Sequence, residues 1–251
     1  MWTRLELKTR AKAVLKTSYW KAFLVSLIIA IIGGNTSGTG GFNWNFGGNK
    51  SQVFSNTFGN ANGGMFPLFA GIFLIIVVAV LLFAIAFRVL LGYPLEVGAR
   101  RYFIRSAQND VSLNHLGYVF DRSKYINVIK SMLWRTFLNF LWFLLFIIPG
   151  IVKSYAYIMV PYILADNPNI GYKRALELSV KMTDGHKLDM WVLDLSFIGW
   201  NLLGILALLV GGLFVMPYYN ATQAELYMVL RQNALEYSFC TPEDLMLSSA
   251  L

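Results

Sequence analysis

Apolar and polar positions fall along this chain in long blocks, with short amphipathic stretches between them. Residues 4 to 18 repeat with the period of a helix: Leu7, Ala11, Val14 and Ser18 share one face, flanked by Leu15, and Lys8, Lys12 and Lys16 lie away from it. The pattern predicts a helix whose apolar face rests along a headgroup boundary while its lysines reach outward. Tyr19 and Trp20 mark an interface, and a first apolar span follows over about 20–33. A second, nearly all aliphatic, covers 66–92, with Arg88 near its inner end. Beyond Tyr93-Pro94 comes a basic, polar helix carrying Arg100, Arg101 and Arg105, and then a short helix placing Leu113, Leu116 and Phe120 on one face. Spans three and four are expected at 131–148 and 151–165, separated by Pro149-Gly150.

Asp166-Asn167-Pro168 reads as a helix start, a capping side chain followed by proline in the first turn. The amphipathic helix it opens, 168–184, sets Ala175, Leu178 and Met182 against Lys173, Glu177 and Lys181. The last apolar stretch, Leu188 to Val215, is long enough for one tilted helix. A weak internal echo favours a hairpin of two short spans, 188–201 and 204–217, turning near Asn201 to Gly204. Val14 to Lys21 resembles Val180 to Lys187, and Pro94 followed by Gly98 is echoed by Pro217 followed by Ala221. The reading is therefore all-α: a polytopic transmembrane helical bundle of six short spans, with five as the alternative. Residues 1–240 form a single membrane domain and 241–251 a flexible tail.

Residues 33–65 break the pattern. They hold ten glycines and seven asparagines, and Lys50 is their one charge. So few aliphatic residues cannot build a core, and a disordered external loop is expected. Gly47-Gly48-Asn49-Lys50-Ser51 hints at a phosphate loop, but the position before the lysine needs glycine and no strand precedes it.

Composition agrees with lipid as the solvent. Of 251 residues 57% are hydrophobic and only 14% charged, at a mean hydropathy of +0.55, whereas soluble domains carry about 25% charged residues. The net charge of +8 would suggest nucleic acid in a soluble domain. Here the cations cluster beside apolar spans, so anionic lipid headgroups are the expected partner and nucleic acid is not. All Lys and Arg except Lys50 and Lys153 fall on one side of the six-span layout, which puts the N-terminus in the cytoplasm. The basic start could pass for a signal peptide, but Ile31-Ile32-Gly33-Gly34 is a poor cleavage site and an uncleaved span is expected.

Several strings are recognisable together. Ile148-Pro149-Gly150-Ile151-Val152-Lys153-Ser154-Tyr155 runs into Val160-Pro161-Tyr162-Ile163-Leu164-Ala165-Asp166-Asn167-Pro168. Then come Asp184-Gly185-His186-Lys187, Leu195-Ser196-Phe197-Ile198-Gly199-Trp200 and Pro217-Tyr218-Tyr219-Asn220-Ala221-Thr222-Gln223-Ala224-Glu225. With Tyr19-Trp20-Lys21-Ala22-Phe23 they resemble a bacterial integral membrane family known as domain of unknown function 975. The resemblance covers nearly the whole chain outside 33–65 and the last dozen residues. It implies a plasma-membrane location and supplies no reaction, ligand or catalytic residue.

Ionisable groups within spans cost about 2.5–3.5 kcal/mol at mid-helix on insertion scales and point to function or to pairing. Asp194, Arg88 and Arg135 lie at similar inner depths, and Ser196 follows Asp194 on the same helix. Two readings stay open. Asp194 relays a proton or binds a cation in a polar pathway with Ser196, Asn139 and Tyr157, or it locks packing as an ion pair with Arg88 or Arg135. Asn220, Gln223 and Glu225 form a patch expected to face Glu96 and Arg100. Lys153 is expected to snorkel to the outer surface. His115 and His186 lack the spacing of a metal site, Cys240 is the single cysteine, and no nucleophile motif is present, so no cofactor, metal or catalytic residue is expected. The chain reads as a non-enzymatic envelope scaffold. It would present Lys12, Lys16, Lys173 and Lys181 to anionic lipid, with a second membrane protein as a further candidate partner. A small transporter or lipid-handling permease is the alternative.

Overall fold

A computed structural model describes residues 2–32, 66–206 and 211–247, so the Gly/Asn-rich loop at 33–65 lies outside the described residues. Among the described residues the chain is helical, without strands. Its elements in order are α1 Arg4–Ile32, α2 Phe66–Phe87, a π-helical turn Arg88–Gly92, α3 Tyr93–Ala107, a 3-10 helix Leu113–Phe120, α4 Arg122–Leu145, α5 Ile147–Ala156, α6 Val160–Asp166, α7 Tyr172–Thr183, α8 Lys187–Leu206 and α9 Gly211–Glu236. A short 3-10 turn, Glu243–Leu245, follows. Four segments are long and apolar enough to cross a membrane: Arg4–Ala30, Gly71–Ala107, Arg122–Leu145 and Ile147–Asp166.

By contacts the chain falls into two compact units, 42–88 and the remainder. In the smaller unit α2 is apolar all round, with Ile72, Leu74, Leu82 and Phe83 each more than half exposed. Its 22 residues reach about 33 Å at 1.5 Å per residue, the thickness of a bilayer's hydrocarbon core.

The larger unit is built around α3, which packs against α1, α4, α6, α9 and the first 3-10 helix. Val97, Ala99, Tyr102 and Ile104 are all at most 1% exposed, and so polar a residue as Arg100 is only 3% exposed. The sequence marks this helix as basic and polar; engaging Glu96 and Arg100 internally lets it be the packing centre of the unit. Gly98 makes the packing possible. A Cβ there would overlap the carbonyl of Leu116, so the 3-10 helix seats directly on the backbone of α3.

The amphipathic faces were legible, but their surroundings differ from expectation. Leu7, Ala11, Leu15 and Ser18 are buried, as are Ala175, Leu178 and Met182. They face protein, with α1 against α9 and α3, and α7 against α4, α5, α6 and α9. Neither apolar face is left for a headgroup boundary. Helix α1 joins the amphipathic stretch to the first span across a kink at Ser18, where φ/ψ leave the helical region. The Ser18 hydroxyl donates to the Val14 carbonyl at 2.9 Å, the back-bonding that bends helices.

Several boundaries move. The break predicted at Pro149-Gly150 sits at Phe146, which is extended. Pro149 falls in the first turn of α5, where its missing N–H costs no hydrogen bond. Gly150 is held against the Phe143 ring, 2.7 Å from where a Cβ would stand. The second break, at 157–159, precedes Pro161 in the first turn of α6. The helix expected from Pro168 starts instead at Tyr172, behind Gly171 at φ +84°. Asn167 accepts from the Asn169 N–H at 2.9 Å, so it caps a turn rather than a helix. The turn expected near Asn201 to Gly204 is still helical, because α8 continues to Leu206. Helices α8 and α9 nonetheless lie side by side, with the Phe197 ring 5.3 Å from those of both Tyr218 and Tyr219. At Leu113–Phe120 a three-residue period replaces the helical one, so Val119 turns fully inward and Phe120 stays 43% exposed.

The tail does not fray at Pro242. Leu245 is 1% exposed, Asp244 accepts from Arg174 at 3.0 Å, and Asn167 donates to the Asp244 carbonyl at 3.0 Å. Thr241 and Asp244 cap each other reciprocally, each backbone N–H donating to the other's side chain at 3.2 Å. Residues 248–251 lie outside the described ones.

Candidate functional site

Two buried polar nodes meet on one face of α9, where Tyr219, Asn220 and Gln223 project inward; all three are under a tenth exposed. In the first node, Asp194 of α8 is 2% exposed and accepts three hydrogen bonds. Its Oδ2 takes the Tyr155 hydroxyl at 2.9 Å, and its Oδ1 takes the Tyr219 hydroxyl at 3.1 Å and the Gln223 amide at 2.9 Å. The Gln223 amide also donates to the Tyr219 oxygen at 3.1 Å, so Asp194, Tyr219 and Gln223 close a triangle. These donors are neutral. Hydroxyl and amide dipoles thus do the work expected of an arginine.

In the second node, Arg100 donates through Nη1 to Asn220 Oδ1 at 2.8 Å and to the Tyr162 hydroxyl at 3.1 Å. Its guanidinium lies 5.1 Å from the centre of the Tyr162 ring, adding a cation–π contact. Asn220 passes the chain on to Ser26 of α1 at 3.0 Å. One guanidinium therefore ties α3, α6, α9 and, through Asn220, α1. The patch expected to face Arg100 is confirmed at Asn220.

Of the residues singled out in the sequence, Arg135 pairs with Glu96 at 3.8 Å, both nearly fully buried. Ser196 accepts from the Lys8 ammonium at 2.7 Å, and that ammonium lies 4.3 Å above the Phe197 ring. Arg88 begins the π-helical turn and belongs to the smaller unit. Within the larger unit, then, Asp194, Arg135 and Ser196 do not converge on one another; each has found a partner on a different element. Lys153 stands 5.0 Å over the Trp142 ring. Lys12, Lys16, Lys173 and Lys181 are exposed, Lys12 over Tyr218 at 5.6 Å and Lys181 paired with Glu177 at 2.8 Å. Sequence reasoning missed Tyr155, Tyr162 and Tyr219. The signal was the four-residue spacing of Tyr219 and Gln223, which puts two donors on one helix face.

Near the ends of α3 and α6 a further cluster forms. Asp166 accepts from the Tyr227 hydroxyl at 2.7 Å and from Arg231 at 2.9 Å. Among the described residues no group of three His, Cys, Asp or Glu could hold a metal ion.

Helices of which four are long and apolar enough to cross a bilayer define a class of molecule, a helical chain that fits a multi-pass membrane protein. Residues 130–234 match the family model described as "Protein of unknown function (DUF975)", which supports the family that the sequence motifs resemble. The matched stretch runs from within α4 to within α9 and so contains Asp194, Tyr155, Tyr219, Asn220 and Gln223. No curated protein and no solved structure matches the chain.

Proposed function

We propose that this chain is a non-enzymatic scaffold or accessory protein of the bacterial plasma membrane. In this reading six spans cross the bilayer, the N-terminus is cytoplasmic and the Gly/Asn-rich loop is external. The observation that carries it is the use made of the buried polar groups. Asp194, Arg100, Glu96 and Arg135 are each engaged by side chains from other helices. In lipid such contacts act as glue between helices. Lys12, Lys16, Lys173 and Lys181 remain outward, Lys181 beside the exposed Glu177, on helices whose apolar faces are already covered by protein. Those lysines engage anionic headgroups, at about 1 kcal/mol per cation near the surface, and hold a neighbouring membrane protein.

In-membrane crosslinking from positions 12, 16, 173 and 181 tests this. Wild type should give discrete adducts, and alanine at all four lysines should remove them and weaken binding to anionic vesicles. Unchanged adducts and unchanged vesicle binding would refute the scaffold reading.

One observation favours transport instead. Gln223 Oε1 and Asn139 Oδ1 are buried without hydrogen-bond partners, and such oxygens can take a water or a cation. Flux through reconstituted protein decides between the two.

A further inference from the structure

A cavity of about 230 Å³ lies between the end of α3, the end of α6, the first 3-10 helix and α9. Arg101, Arg105 and Arg231 line it together with Gln108, Tyr118 and Asp166. Three guanidiniums and one carboxylate leave two positive charges in excess. Holding like charges around one cavity is unfavourable unless an anion joins them.

Two of the arginines are held in place. Arg101 donates to the Ala165 carbonyl and lies 3.5 Å from the centre of the Tyr118 ring. Its Nε is buried and has no hydrogen-bond partner. Arg231 is held at 2.9 Å by Asp166, which Tyr227 also engages. Arg105 makes only a long contact, 3.3 Å, to Gln108. Each guanidinium carries five donors in a planar fork that matches the oxygens of a phosphoryl group. The size narrows the ligand. Drug-sized ligands and cofactors occupy roughly 300–1,000 Å³, so this cavity suits one phosphoryl group and not a nucleotide. Leu245, Met246 and Leu247 of the docked tail form part of the wall.

We infer that this cavity binds a phosphoryl group, supplied either by an anionic phospholipid headgroup or by free phosphate. The inference depends neither on the scaffold role nor on the orientation of the chain.

Full-length protein is titrated in neutral detergent with inorganic phosphate against chloride at equal ionic strength, because exposed charge pairs respond to salt alone. Melting temperature is the readout. In a second arm, protein is delipidated from nanodiscs holding phosphatidic acid or phosphatidylcholine, and retained lipid is counted by native mass spectrometry. Wild type should bind phosphate, retain phosphatidic acid, or both. The first result alone identifies a soluble source and the second alone a lipid. R105Q should weaken binding about tenfold or more, the loss expected for a charge-assisted pair. R10Q, which removes one exposed charge elsewhere, should bind as wild type does. Q108E, adding a carboxylate at the rim, should weaken binding too and stands in if R105Q misfolds. Equal binding by wild type, R105Q and Q108E, or no binding in either arm, would overturn the inference.

Discussion

Replacing Asp194 by alanine removes, in one step, the acceptor for Tyr155, Tyr219 and Gln223. Interhelical polar contacts in membrane proteins average about 0.6 kcal/mol and reach about 1.7. Three of them give roughly 2–5 kcal/mol. Removing a buried carboxylate also removes its own desolvation cost, so the lower part of that range, about 2–3 kcal/mol, is expected. Asparagine keeps the shape: its oxygen still accepts from Tyr219 and Gln223, while its amide donates to a Tyr155 hydroxyl that turns round. D194N should therefore cost less than about 1 kcal/mol. Unfolding in mixed micelles, followed by near-ultraviolet circular dichroism, measures both. A double-mutant cycle of D194A with Q223A should return a coupling of at least about 0.6 kcal/mol, since the pair is in direct contact. Wild-type stability of D194A, or zero coupling in the cycle, would refute the network as a structural lock.

Other outcomes follow from the same geometry. Gly98→Ala drives a Cβ into the Leu116 carbonyl, and because backbone must move, about 1–3 kcal/mol of stability should be lost in the same unfolding assay. Gly117→Ala, which meets nothing within 4 Å, is its control. The Arg174 hydrogen bond holds the Asp244 carboxyl below the ordinary carboxylate range. A depressed folded pKa means that this docking contribution is complete above the unfolded value of about 3.9 and is lost as pH falls through the folded one. Hydrogen exchange of residues 240–247 should accelerate relative to α9 in that acid window, and D244N should show the acceleration already at neutral pH. Burial raises the Glu225 pKa, only partly offset by Arg10. A raised carboxyl pKa favours folding below the folded value and costs stability as pH rises through it, so E225Q should melt higher than wild type at pH 8 and no higher at pH 4.

Much of the architecture was legible because lipid imposes a simple demand. A run as uniformly apolar as 66–87 reads as a helix long enough to cross a bilayer, and the buried faces at Leu7/Ala11 and Ala175/Leu178/Met182 emerge from helical spacing. What was not legible depended on partners far away in the chain. Glu96 and Arg100 mark α3 as polar, and only Arg135, Tyr162 and Asn220, up to 120 residues distant, make it a core helix. Asp194 looked like half of an ion pair because charge is visible in a sequence, while tyrosine hydroxyls turned toward it are not. Helix ends shifted where proline allowed two readings. Pro149 could end one helix or open the next, and the extended backbone of Phe146 decides the matter.

The buried Asp194 carboxylate, engaged by Tyr155, Tyr219 and Gln223, is expected to tie helices together and to carry nothing across them. Proton and sodium flux into liposomes reconstituted with wild type and with D194N, under an imposed potential, tests it most directly. Flux indistinguishable from protein-free liposomes in both is the result predicted here. Flux present in wild type and abolished in a properly folded D194N would contradict it.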